Sequence, residues 1–222
     1  GPVREFDGPS DISIIYVIDG GENSIVSTHA AARSLRDADV DGVLQIATDG
    51  DVVLMQGNLD RDLTEYALRR SRARGLRTIL NPAPIHYPYE AIWPFVEYAV
   101  LNEVEIEALS GSRDIEAGAR QLLEFGVHHV IATLGPAGAE WISADGLQRF
   151  DADAVEAVDT TGAGDAFCGV LAASVALARP LGGAISTSVR AATLSVTRHG
   201  TQAASPSREE LQGLLAESAT GE

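Results

Sequence analysis

Apolar residues fall along this chain in two rhythms. Runs of four or five nearly all-apolar residues, at 52–55, 77–80, 98–101 and 129–133, alternate with longer stretches at helical spacing. The short runs are rich in β-branched and aromatic residues and read as strands. The longer stretches, at 63–74, 103–109, 114–125, 164–178, 181–197 and 209–216, read as helices. Gly75 and Gly126 stand where the first and third of these should stop. Pro82 and Pro84 forbid continuation of the strand that closes near Asn81. Two further runs, 140–142 and 147–150, flank Ala144-Asp145-Gly146 and predict a hairpin, and 154–158 is strand-like. Strands apolar on both faces and separated by helices predict a mostly parallel sheet covered on both sides, an α/β fold.

The start of the chain does not fit that sheet. Residues 12–18 and 23–28 read as two strands around the turn Asp19-Gly20-Gly21, a hairpin belonging to a small β element such as a lid. Alternation puts Ser13 and Ile15 on one face of its first strand. The expected organisation is a protease scar at residues 1–2, a partial β lid over 3–29, and an α/β domain over 30–222.

Charge and composition narrow the chemistry. With 32 acidic and 16 basic residues the net charge is -16, so nucleic acid and anionic membrane are poor partners. Every basic residue is arginine. The absence of lysine excludes Schiff-base catalysis, the lysine of a Walker-type phosphate loop and the lysine–glutamate pair of protein kinases. The five histidines show no metal-ligand spacing, and a single cysteine, Cys168, excludes a disulfide framework and reads as packing. No apolar run approaches the roughly 18 residues of a membrane span and no leader opens the chain, which predicts a soluble cytoplasmic protein.

The segment that carries chemistry is DTTGAGDAF, Asp159 to Phe167, placed between a strand-like run and a long apolar helix. Gly162, Ala163 and Gly164 make a small-residue turn whose amides face open space at the helix start. Unpaired donors and the positive end of the helix dipole suit an anion there. Asp165 sits in the first turn, where a carboxylate repels phosphate unless it handles a proton. The plain alternative is a capped helix with glycines for close packing.

DTTGAGDAF resembles the signature of the ribokinase-like (phosphofructokinase B type) carbohydrate kinases. The resemblance runs through the hairpin at Glu22-Asn23, VLMQGN ending at Asn58, LNPAP around Asn81, LNEVE at Asn102 to Glu105, TLGPAG at Thr133 to Gly138 and VTRHGTQ at Val196 to Gln202. NPAP and TRxGxQ are similar to the ribokinase branch. The resemblance implies a three-layer α/β/α fold and ATP-dependent phosphorylation of a sugar hydroxyl, on ribose or a similar pentose. It makes Asp165 the base and the Gly162-Asp165 turn the anion hole, with the N–H groups of Ala163, Gly164 and Asp165 offered to the phosphoryl group. Thr133, Leu134, Gly135, Pro136, Ala137, Gly138 and Ser188 would line the nucleotide, with Gly135 and Gly138 letting backbone approach it.

Asn102 and Glu105 would organise Mg2+ through water, their structural alternative being a helix cap. Asp159, Thr161, Ser195, Arg198, Gly200 and Ala204 match a site for a monovalent cation, K+, built largely of backbone carbonyls; taken alone, Asp159 is a turn residue and Arg198 a solvated charge. Asn58, standing where relatives often carry a glutamate, would face the sugar with Ser13, Ile15 and Ser27. The family's early strand with its sugar-holding aspartate and its glycine stretch have no counterpart here, which predicts a half-built lid; the resemblance implies a homodimer paired through its lids, an expectation that a half-lid weakens. Two alternatives stay open: a relative that binds ATP and Mg2+ without turnover, and a kinase for a nucleoside, hexose or sugar acid.

Overall fold

The computed structural model describes residues 5–17 and 23–217; Gly1-Pro2 and the turn Asp19-Gly20-Gly21 lie outside the described residues. The predicted hairpin is present: β1 (Ser13–Val17) and β2 (Asn23–Ser27) pair antiparallel in a sheet of their own. Ser13 opposes Ser27, with their hydroxyls 2.7 Å apart. At the base of the hairpin, Asp11 accepts from the Thr28 hydroxyl at 3.1 Å and the Ala32 N–H at 2.9 Å. Ile12, Ile14 and Val26 are exposed on it.

A short helix that the apolar pattern does not announce follows, α1 (Asp37–Leu44). The Arg36 N–H donates to Asp39 at 2.7 Å, and Asp37 and Asp39 sit in the first turn, where the helix dipole favours them. Its Asp41 accepts from the Tyr66 hydroxyl at 2.9 Å, which ties it to the helix behind.

Six strands form the main sheet in chain order: β3 (Val52–Gln56), β4 (Arg77–Asn81), β5 (Tyr98–Asn102), β6 (His129–Thr133), β7 (Ala139–Ser143) and β8 (Gly146–Phe150). β3 to β6 run parallel; β7 and β8 are the antiparallel hairpin expected from the sequence. α2 (Arg61–Ala73) crosses from β3 to β4, and α3 (Glu103–Ser110) and α4 (Ile115–Glu124) cross from β5 to β6. α5 (Ala163–Ala176), α6 (Leu181–Ser195) and α7 (Arg208–Glu217) follow β8.

Successive strand residues point to opposite faces, so each buried strand feeds two cores. Leu80, Leu101 and Val130 meet Leu68, Ile106 and Leu122 of α2 to α4 on one side. Ile79, Val100 and Ile131 meet Phe167, Leu171 and Ile185 of α5 and α6 on the other. The result is the expected three-layer α/β/α arrangement.

One stretch for which the sequence predicts no element is nonetheless well packed, and one predicted strand is absent. Residues 82–97 contain no α-helix, yet Tyr89, Ile92 and Trp93 are fully buried there, with the Tyr89 and Trp93 rings stacked at 5.3 Å. Residues 154–158 form no strand. Val155 and Val158 are exposed, and the Val158 N–H donates to the Val196 carbonyl at 2.8 Å. β-propensity expresses a fit to a pleated neighbour, and this run has none.

Where β4, β5 and β6 begin, a polar cluster closes on itself. Glu97 pairs with Arg72 at 3.1 Å and Arg77 at 2.7 Å. The Tyr98 and His129 rings stack at 5.1 Å, and the Trp141 indole N–H donates to His129 Nδ1 at 3.2 Å. Burial holds His129 below the ordinary histidine value, which keeps that nitrogen an acceptor. His129 is structural.

Candidate active site

Parallel strands deliver all their carboxyl ends to one edge of the sheet, where open α/β folds bind ligands. Here those ends are polar. Gln56 of β3 lies in register with Asn81 of β4, and Asn102 of β5 with Thr133 of β6. The head of α5 reaches the same edge: the Gln56 side-chain amide donates to Asp165 Oδ1 at 2.8 Å.

That helix head is open. Gly162 is its N-cap at φ 83°, a left-handed conformation suited to glycine, and no side chain caps the helix. A Cβ there would meet Thr201 Cα at 3.4 Å. The Ala166 N–H bonds back to the Gly162 carbonyl at 2.9 Å. Gly164 and Asp165 are exposed, and a Cβ on Gly164 would meet no atom within 4 Å. One expectation is corrected: the helix starts at Ala163, whose own N–H turns back to the Thr160 carbonyl at 3.3 Å instead of facing open space. Among the described residues, the N–H groups of Gly162, Gly164 and Asp165 are the ones left without a partner at the head.

Asn102 and Glu105 form a complete capping box. The Asn102 side chain accepts from the Glu105 N–H at 2.8 Å, and Glu105 takes the Asn102 N–H at 2.9 Å and its side-chain amide at 3.0 Å. The structural alternative read from NEVE is therefore realised. Desolvation still raises the Glu105 carboxyl above its ordinary value despite the Asn102 N–H. A cation at hand would relieve that cost, and Mg2+ held through water fits a single pinned carboxylate. Among the described residues no group of three or more His, Cys, Asp or Glu side chains could hold a metal directly.

The Thr133 to Gly138 segment turns tightly after β6. Gly135, Pro136 and Ala137 are exposed, Leu134 is half-buried, and the Thr133 hydroxyl donates to the Leu101 carbonyl at 3.3 Å. Gly138, expected to admit nucleotide, instead admits protein: a Cβ there would stand 2.0 Å from the Phe150 carbonyl oxygen. Ser188 is also corrected. It is fully buried in α6, and its hydroxyl donates to the Ala184 carbonyl at 2.8 Å, so it presents nothing to a ligand.

Asp159 joins two loops, accepting from the Thr161 N–H at 2.9 Å and the Gly200 N–H at 3.0 Å. The Gly200 amide, then the Thr161 hydroxyl and amide, hold its carboxyl down to about 2. The Ser195 carbonyl accepts the Arg198 N–H at 3.2 Å, and Ala204 is fully buried. The Arg198 guanidinium, read from sequence as a solvated charge, forms an ion pair with Glu210.

On the other flank of Gln56, the exposed Asn58 donates to the Gln56 side-chain oxygen at 3.3 Å. Gly57 between them is obligatory, since a Cβ would lie 2.4 Å from the Pro84 carbonyl and 2.5 Å from that of Pro82. Ser13 and Ser27 use their hydroxyls on each other, and the Ile15 side chain lies outside the described residues. Beside Asp165, a cavity of about 280 Å³ runs between α5 and α7, lined mainly by Ala166, Val170, Ala173, Leu211 and Leu215. Such walls suit hydrocarbon and not charged phosphate. Cys168 is buried and pushed up to about 12 by desolvation, an inert packing thiol. Sequence reasoning missed Gln56. Only the pairing of β3 with the head of α5 across the fold reveals it.

Residues 6–208 match the profile of the pfkB family carbohydrate kinases. This chain belongs to that family. The deoxyribokinase of Salmonella typhimurium is 31% identical over 212 residues, covering 93% of this chain and 69% of the relative. A ribokinase crystal structure from Thermotoga maritima superposes with a TM-score of 0.83 at 32% identity, over 94% of this chain and 70% of that one. The Arabidopsis thaliana ribokinase complexed with ribose and ATP shares the fold, with a TM-score of 0.82 at 22% identity, over 94% and 70%. The chain thus spans about seven tenths of each of these kinases. It is a carbohydrate kinase, and no helix among its described residues is long and apolar enough to cross a membrane.

Proposed function

We propose that this pfkB kinase transfers the γ-phosphoryl group of ATP to a hydroxyl of ribose or a closely similar pentose, with Asp165 as the base. The observation that carries this is the uncapped head of α5, with the free amides of Gly164 and Asp165 beside an exposed carboxylate. The relatives named deoxyribokinase and ribokinase support a pentose, and the Arabidopsis complex supports ATP.

Asp165 accepts the hydroxyl proton as the sugar oxygen bonds to the γ-phosphorus. The bond from that phosphorus to the β–γ bridging oxygen breaks, and ADP departs. An ionised carboxylate within hydrogen-bond reach suffices as base. The α5 amides and dipole meet charge on the phosphoryl oxygens, the main demand of this reaction. Asn102 and Glu105 would hold Mg2+ through water; the ion neutralises phosphate charge. The exposed turn from Leu134 to Ala137 takes the nucleotide, and Asn58, Ser13 and Ser27 the sugar.

The loops joined by Asp159 would hold K+ through backbone carbonyls at Thr161, Ser195, Arg198, Gly200 and Ala204, with Asp159 fixing the loops. The exposed apolar residues of the hairpin, Ile12, Ile14 and Val26, pair with those of a second copy in a homodimer.

An ADP-release assay over a sugar panel tests the reading. Asp165→Asn should retain ATP binding while transfer falls about 10³-fold or more. Near-full turnover in that variant removes Asp165 as base, and ATP binding without turnover on any sugar leaves a nucleotide-binding protein. Replacing potassium by choline should slow transfer; equal rates in the two buffers remove the cation site.

A further inference from the structure

A carboxylate base works only if the correct oxygen faces the acceptor. Asp165 lies in the exposed first turn of α5, where its side chain is free to rotate unless something holds it. β3 supplies the hold. Alternation places Val52, Leu54 and Gln56 on one face of that strand, and Val52 packs against the apolar cluster to which Phe167, Cys168 and Leu171 of α5 belong. The last residue of the strand therefore arrives at the head of the helix.

The hydrogen-bond chemistry gives this contact a direction. An ionised carboxylate only accepts, so the NH2 of Gln56 must face Asp165 Oδ1, at 2.8 Å. Its carbonyl oxygen then points away and can only accept, which turns the NH2 of Asn58 toward it, at 3.3 Å. The result is a polarised chain from Asn58 through Gln56 to Asp165. It leaves one oxygen of the base, Oδ2, for the acceptor hydroxyl.

We infer that Gln56 is a positioning residue: it fixes the orientation of the Asp165 carboxylate, reserves Oδ2 for the sugar hydroxyl, and couples the base to Asn58. The inference rests on the reading of Asp165 as the base. The other titratable groups nearby are Cys168, one turn along α5 and neutral, and Glu105 of α3, whose charge is felt at Cys168. Neither makes a hydrogen bond that would replace Gln56. The backbone is not at stake, since Gln56 is at a strand end and half-buried.

The test uses the full chain with Gln56→Leu and Gln56→Glu, read by steady-state kinetics and by calorimetric ATP binding. Gln56→Leu should lower kcat about 10-fold with KM for ATP and ATP affinity unchanged, since the base loses its hold while the nucleotide site does not. Gln56→Glu puts an acceptor where the donor stood and should lower kcat further, again with ATP affinity unchanged. The calorimetry requires no turnover, so it reports the nucleotide site whatever the fate of the base assignment. If Asp165→Asn abolishes transfer while both Gln56 variants keep the wild-type kcat, the positioning role falls alone. If Asp165→Asn transfers normally, the base reading falls and the role of Gln56 in catalysis falls with it.

Discussion

Two helices begin at the same edge of the sheet, and they begin differently. α3 opens with a capping box in which Asn102 and Glu105 satisfy each other's backbone and side chain. α5 opens on Gly162, with no side-chain cap, and with space instead of atoms around Gly164. Helix heads are normally closed, because unpaired amides in a folded protein are costly unless water or a ligand meets them. The first head is finished by its own residues. The second is left open, and its small side chains keep the approach clear.

The contrast breaks most sharply at Gly164. Gly164→Ala fills open space in a helix, so denaturation should show stability unchanged or higher by about 0.5–1 kcal/mol. Transfer should nevertheless fall about 10²-fold, because a methyl group then stands where phosphate meets the amides. A fully active Gly164→Ala protein would mean the open head serves no ligand.

At the closed head the effect on stability is smaller and is measured apart from any loss of transfer through the proposed Mg2+ site. Asn102→Ala removes the cap and should cost about 1 kcal/mol in urea unfolding. An unchanged midpoint would show that α3 does not depend on its box.

The smallest effect is acid sensitivity at the loops behind α5. The Asp159 carboxyl titrates near 2 when folded against an ordinary 3.8, because the Gly200 and Thr161 donors favour its charged form. Its contribution is therefore complete above about pH 4 and is lost as pH falls toward 2. Asp159→Ala should unfold with a shallower acid limb across that window, and an identical limb would detach Asp159 from loop stability.

Much of this was legible in the residues. The parallel sheet followed from apolar runs too short for helices, and the open turn from GAG before a helix. What was not legible depends on contacts distant in the chain. Ser188 carries the same hydroxyl whether exposed or buried, and only the packing of α6 decides that it bonds Ala184. Gly138 looks like any ligand-admitting glycine until Phe150 arrives from β8. The strand-like 154–158 run lacks an edge to join, which no local propensity reports. Gln56 reads as an unremarked strand end until α5, more than a hundred residues later, sets a carboxylate against it.

The chain's two tryptophans fall on opposite sides of the sheet. Trp93 is sealed among Tyr89, Ile92 and Leu122, while Trp141 stands half-buried beside His129 in the layer of α5 and α6. Intrinsic fluorescence therefore carries one reporter for each layer. Loosening of the catalytic layer shifts the Trp141 emission and frees it from its imidazole neighbour, while Trp93 keeps the blue emission of a dry interior, so one cuvette distinguishes partial opening from global unfolding.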